Sequence, residues 1–262
     1  MLDFLLTSDA IMALLTLTFL EIILGIDNIV FISIAANKLP EHQRNKATNI
    51  GLVLAMVQRI VLLFFVSFLI GLSEPFYTYS ADWVNIAISW QALILFFGGL
   101  FLIYKSTKEI REKVETPSHD EEGVKSKVIK SLSQAITQIL IIDFIFSVDS
   151  ILTAVGMTNG LHPKTNYTLV LMIIAVMISI AVMIGFANPI RKFIDRNPSM
   201  QILGLAFLIL IGFMLITEAA HLSNTEFFGN SVGAIPKGYL YFAIAFSLFV
   251  EFLNFKTKKK TL

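Results

Sequence analysis

Seven stretches of this chain are apolar for long enough to cross a lipid bilayer, and that restricts the fold more than anything else in the sequence. About 20 apolar residues span the hydrocarbon core. No water satisfies the backbone there, so each stretch has to close its own hydrogen bonds as a helix. The stretches run approximately Ala10–Ala36, Ala47–Leu72, Ile86–Tyr104, Leu132–Gly156, Leu169–Ala187, Ile202–Thr217 and Tyr239–Phe255. The sixth, interrupted by Gly204 and Gly212, is the shortest. Charged residues make up only 15% of the chain, against roughly 25% in a soluble domain, so no segment reads as a soluble domain. Met1-Leu2-Asp3-Phe4 has no basic region and no small-residue cleavage site, so the first stretch is expected to be a retained helix.

The connecting loops set an orientation. Lys38, Arg44 and Lys46 follow the first stretch, and seven bases between Lys105 and Lys130 follow the third. Arg191, Lys192 and Arg196 follow the fifth, and Lys256, Lys258, Lys259 and Lys260 follow the seventh. The other side collects only Lys164 and Lys237, while Arg59 lies within the second stretch. By the positive-inside rule the N-terminus is outside and the C-terminus cytoplasmic. The loop 105–130 is then cytoplasmic and Ser73–Asn85 external. The former mixes its bases with six acids around Pro117 and reads as a solvated linker. The terminal lysines read as a topology anchor.

An acidic pattern is written twice on these apolar segments. Glu21-Ile22-Ile23-Leu24-Gly25-Ile26-Asp27-Asn28 returns 122 positions later as Asp143-Phe144-Ile145-Phe146-Ser147-Val148-Asp149-Ser150. A carboxylate at membrane depth costs at least ~2.5–3.5 kcal/mol on insertion scales, so each is a functional-site candidate. At the same offset Asn37 matches Asn159 and Leu39 matches Leu161, with Pro40 and Pro163 nearly aligned. The first and fourth helices enter the membrane from opposite sides, so the halves form an inverted repeat. Such repeats build transporter sites near the bilayer midplane. The expected fold is an all-α membrane protein of seven transmembrane helices, an inverted 3+3 repeat plus one C-terminal helix. Residues 1–106 form the first repeat, 107–130 the linker and 131–221 the second repeat. Residues 222–262 hold an external loop, the seventh helix and a basic tail.

Residues six apart on a helix are ~9 Å apart along its axis and ~240° around it. Glu21 and Asp27 therefore share a face only if the helix unwinds near Gly25 and Asn28; otherwise the carboxylates serve different levels. Helix centring puts Glu21 and Asp149 on the outer side, with Asp27 and Asp143 on the inner. The four acids form a candidate cation site, to which Asn28 and Ser150 can add neutral oxygens or merely soften the helix. Arg59 requires an acidic partner and reads as a counter-charge. Gln58, Gln91, Gln134 and Gln138 could line the same cavity; Glu218 with His221 and Glu251 with Asn254 read as interfacial residues. Oxygen donors favour Mg²⁺, Ca²⁺ or Mn²⁺ over Cu(I) or Zn²⁺. There is no cysteine to supply a thiolate. No phosphate-binding glycine loop appears, so transport would run on ion gradients, with a proton or sodium as counter-ion. No enzyme, cofactor or nucleic-acid partner is expected, and the oligomeric state is not legible.

Several of these runs resemble one known family. Leu20-Glu21-Ile22-Ile23-Leu24-Gly25-Ile26-Asp27-Asn28-Ile29-Val30-Phe31, followed by Lys38-Leu39-Pro40, is similar to the first-helix signature of the TerC family. Phe97-Gly98-Gly99-Leu100-Phe101-Leu102 resembles its third helix and the run from Asp143 to Ser150 its fourth. The resemblance implies manganese export across the bacterial cytoplasmic membrane, with the metal pathway at Glu21, Asp27, Asn28, Asp143 and Asp149. Manganese over calcium or magnesium comes from the resemblance alone. The rival reading is a membrane partner or assembly factor that binds metal under metal or tellurite stress without moving it.

Overall fold

The computed structural model describes residues 2–37, 39–115, 132–158, 160–161 and 165–258. Most of the expected linker and the repeat markers Asn159 and Pro163 lie outside the described residues. The helices are α1 (Leu2–Leu5), α2 (Ser8–Asn37), α3 (Glu41–Phe64), α4 (Val66–Gly71), α5 (Trp90–Glu115), α6 (Leu132–Thr158), α7 (Thr165–Arg196), α8 (Pro198–Leu222) and α9 (Lys237–Lys258). Among the described residues, five helices are long and apolar enough to cross a membrane: α3, α5, α6, α7 and α8.

Four short strands depart from the all-α expectation. They are β1 (Pro75–Ala81), β2 (Val84–Ser89), β3 (Glu226–Phe227) and β4 (Asn230–Ser231), and they form one antiparallel sheet in that order. The expected external loop 73–85 and the start of the expected third helix are thus a hairpin, with Ala81 paired to Val84 around Asp82 and Trp83. Val84, Ile86 and Ile88 are β-branched, which suits a pleated surface. The helix begins only where Ser89 Oγ accepts the Ala92 amide at 3.2 Å, an N-cap bond. At its other end α5 continues past the expected Tyr104 to Glu115. Lys105 pairs with Glu109 at 3.0 Å and Arg111 with Glu115 at 2.8 Å, each one turn apart along the helix.

The chain divides into two compact units. One holds α1 to α4 with α6 and α7. In it α2 packs on α7, α3 packs on both α6 and α7, and α2 also touches α6. The turn from α2 into α3 is closed by Leu39 packed among Ala36, Ala47 and Ala135, alanines whose small side chains let three helices approach. Leu39 O accepts from Arg44 Nε at 2.9 Å, and Pro40, with no amide to satisfy, precedes the first residue of α3. At that end of α7, Asn188 donates to Asn49 Oδ1 at 3.2 Å, and Arg191 pairs with Asp195 at 2.7 Å and contacts Asn45.

The other unit holds α5, α8, α9 and the sheet. There Ala87 N donates to Ser223 O at 2.7 Å, tying the sheet to the end of α8, and Asn85 donates to Glu226 at 3.1 Å between β2 and β3. The contact between α5 and α8 is reciprocal. A Cβ on Gly99 would stand 2.5 Å from Gly212 O and 2.9 Å from Ile216; one on Gly212 would stand 2.8 Å from Gly99 O and 2.7 Å from Ile103. Backbone meets backbone, so no side-chain rotation relieves an added methyl. Gly99→Ala and Gly212→Ala should each cost ~1–3 kcal/mol, as overpacked contacts do. Thermal unfolding of the purified protein in detergent checks this: each melting point should fall. The exposed Gly71, with open space around it, should accept alanine unchanged.

Candidate functional site

Glu21 lies in mid α2 and Asp143 in mid α6, and a third helix supplies the charge between them. Arg59 of α3 is 1% exposed, Glu21 3% and Asp143 4%. Arg59 Nη1 donates to Glu21 Oε2 in a short contact. Its Nη2 donates to Asp143 Oδ1 at 2.8 Å and its Nε reaches Asp143 Oδ2 at 3.5 Å. One turn along α6, Ser147 Oγ donates to Asp143 Oδ2 at 3.2 Å. The guanidinium fork suits two carboxylates approaching from different sides, which a lysine cannot match. Two acids and one base leave a formal charge of −1 on a buried triad; taking the arginine away leaves both acids uncompensated, whereas neutralising one acid leaves a neutral pair.

Sequence reasoning asks for one acidic partner for Arg59; the structure provides two, one from each half of the chain. It also changes the expected layering. Helix centring puts Glu21 and Asp143 at opposite levels, yet both reach one guanidinium, because they stand at matching points where α2 and α6 touch and a long arginine bridges them. The helix is continuous through Gly25, so α2 does not unwind there. Gly25 instead makes room for α7: a Cβ at this position would lie 2.0 Å from Met183 Sδ.

Asp149 is half-buried on α6, about 9 Å further along the axis from Asp143. Ser150 is buried and its Oγ donates to Ser147 O at 3.4 Å. The side chains of Asp27 and Asn28 lie outside the described residues. Gln58 donates to Leu140 O at 3.2 Å, and Gln91 is buried in the unit of α5; Gln134 is exposed and Gln138 half-buried. Among the described residues, none of these glutamines borders the cavity beside the triad. No group of three acidic or histidine side chains gathers to hold a metal ion, again among the described residues. The cavity is about 10 Å³ and touches Arg59 and Asp143; apolar residues including Ile32, Leu52, Ile139 and Met183 close the rest. It offers space for about one water.

Two participants had not been singled out from sequence. Ser147 stands 122 positions after Gly25, inside the repeated motif, and that was its only signal. Met183 had none, because it is one of several methionines in an apolar helix.

Residues 6–261 match the model of the Integral membrane protein TerC family. The chain is 44% identical over 252 residues to the UPF0053 inner membrane protein YgdQ of Escherichia coli strain K12, covering 96% of this chain and 95% of that one. It is 42% identical over 251 residues to a UPF0053 protein of Haemophilus influenzae, with the same shares covered. Over 252 residues it is 40% identical to the UPF0053 inner membrane protein YoaE of E. coli K12, where it spans 44% of the relative's length. No solved structure matches. With its apolar helices and a family match that runs through both acidic motifs, the chain belongs to the TerC family of integral membrane proteins.

Proposed function

We propose that this protein is a secondary transporter that exports a divalent cation, Mn²⁺ first among them, across the bacterial inner membrane. The observation that carries the reading is the triad. Two carboxylates that cost several kcal/mol to bury are brought from the two halves of the chain to one point between α2, α3 and α6. The resemblance to the TerC family supplies manganese, and relatives named as inner membrane proteins supply the compartment. Asp149, further along α6 from Asp143, extends the acidic path with Ser150 beside it, and the matching motif assigns Asp27 and Asn28 to the same path. A proton or sodium gradient drives exchange.

An inverted repeat of α2, α3 and α5 with α6, α7 and α8, plus α9, is supported by which positions are buried. Leu17, Glu21, Gly25, Ile29, Ile32 and Ala36 are buried on α2; the residues 122 positions later on α6, from Ile139 to Thr158, are buried as well. The contact of α2 with α7 has its counterpart in that of α6 with α3, as exchange of the halves requires. The reciprocal packing of Gly99 and Gly212 is what a local two-fold axis between α5 and α8 would produce.

The test is Mn²⁺ movement in proteoliposomes of the purified protein. Flux well above empty vesicles, slowed by excess Ca²⁺ or Mg²⁺ less than by unlabelled Mn²⁺, is the expected result. Binding without flux would overturn transport in favour of a metal-binding membrane partner.

A further inference from the structure

We propose that Arg59 is an internal stand-in for the transported cation: its guanidinium holds the Glu21 and Asp143 carboxylates together, and the metal takes its place there by displacing it. This rests on the transport reading above, but on a different property of the site.

Charge comes first. Glu21 and Asp143 without Arg59 carry −2, which one divalent ion neutralises. With Arg59 seated the triad carries −1, and a divalent ion added to it would stand beside the guanidinium against the same two carboxylates. Two cations in contact in a buried place repel strongly, so metal and guanidinium are alternatives at this site. Geometry agrees. Arg59 contacts one oxygen of Glu21 and both oxygens of Asp143, so it covers the side of each carboxylate that a shared ion would use. The neighbouring cavity, with space for about one water, holds no hydrated ion while the guanidinium stays. A guanidinium keeps its charge at physiological pH, so it cannot yield by losing a proton; it has to move.

The consequence is a competition with a sign. The protein's apparent metal affinity is its intrinsic affinity reduced by the fraction of molecules with Arg59 withdrawn. Removing the guanidinium removes that reduction, so binding tightens. It also removes the group that pushes the ion out of the site afterwards, so turnover slows. Loss of the positive charge alone would also favour a cation, so Arg59→Lys, which keeps the charge and loses the fork, separates displacement from simple charge.

The experiment measures Mn²⁺ affinity by calorimetry on purified protein, melting temperature with and without Mn²⁺, and Mn²⁺ flux in proteoliposomes, for wild type, Arg59→Met and Arg59→Lys. Arg59→Met should bind Mn²⁺ at least ~10-fold more tightly. It should gain more thermal stability from Mn²⁺ than wild type does and transport more slowly. Equal or weaker binding by a folded Arg59→Met overturns the proposal. If Arg59→Met does not fold, Arg59→Lys decides, since lysine keeps the charge but lacks the fork that grips both acids. Tighter binding by Arg59→Lys supports the stand-in role, and unchanged or weaker binding overturns it. Wild-type flux separates the two readings. Tightened binding in a protein that moves no metal leaves the exchange standing and removes transport. Unaltered binding in a protein that does transport removes the exchange alone.

Discussion

Asp143→Asn should yield a folded protein that no longer moves metal. The change takes one negative charge from a triad of net −1 and leaves Arg59 paired with Glu21, a neutral pair. The new amide keeps its one oxygen for Arg59 Nη2 at the Oδ1 position, and its NH2 takes the Oδ2 position, where the Ser147 hydroxyl can turn to accept, so packing is preserved and the 3.5 Å contact with Arg59 Nε is lost. Stability should therefore stay within about 1 kcal/mol of wild type, in contrast to loss of the arginine, where a buried charge left unpaired costs ~3–5 kcal/mol. Transport responds differently, because a hard divalent ion depends on carboxylate charge to offset its lost hydration. With one of two central carboxylates gone, flux should fall at least ~100-fold, a loss of about 2.8 kcal/mol or more at ~1.4 kcal/mol per factor of ten. Melting temperature in detergent, measured beside manganese tolerance of cells lacking their own exporters, checks both halves. A large drop in melting temperature would contradict the charge count.

Asp149→Asn and Asp27→Asn form the second pair. Each keeps size and hydrogen bonding while deleting one charge from the acidic path beside the triad. Asp149 is half-buried and asparagine keeps its size, so the change should spare the fold. Transport should nearly vanish in both variants if the flanking acids hand the ion to and from the centre. Accumulated manganese, scored against the amount of protein in the membrane, is the measurement. Wild-type tolerance in both would remove the flanking acids from the pathway and leave the central triad alone.

Much of the fold was legible because burial in lipid leaves few options: runs such as Leu132–Gly156 had to be helices, and the structure makes this one α6 (Leu132–Thr158). The hairpin was not legible, since a short apolar run such as 86–89 reads equally well as strand or buried helix by periodicity. The end of α5 was hidden for the opposite reason. Charged residues from Lys105 onward look like loop, but their one-turn ion pairs carry the helix on to Glu115. The acids of the site were visible because a carboxylate in an apolar helix is costly and because the acidic pattern is written twice. What could not be read was who meets whom: that Arg59 of α3 joins Glu21 to Asp143, and that Gly25 clears space for Met183, depends on contacts between helices far apart in sequence.

The central claim is that metal crosses the membrane through carboxylates contributed by both halves of the chain. The most direct measurement is initial Mn²⁺ flux into proteoliposomes carrying equal masses of wild type, Asp143→Asn and Glu218→Gln, the last a residue of α8 in the other unit. The expected result is wild-type flux well above empty vesicles, near-wild-type flux for Glu218→Gln, and none above background for Asp143→Asn. Wild-type flux through Asp143→Asn, in vesicles that hold folded protein, would contradict the claim.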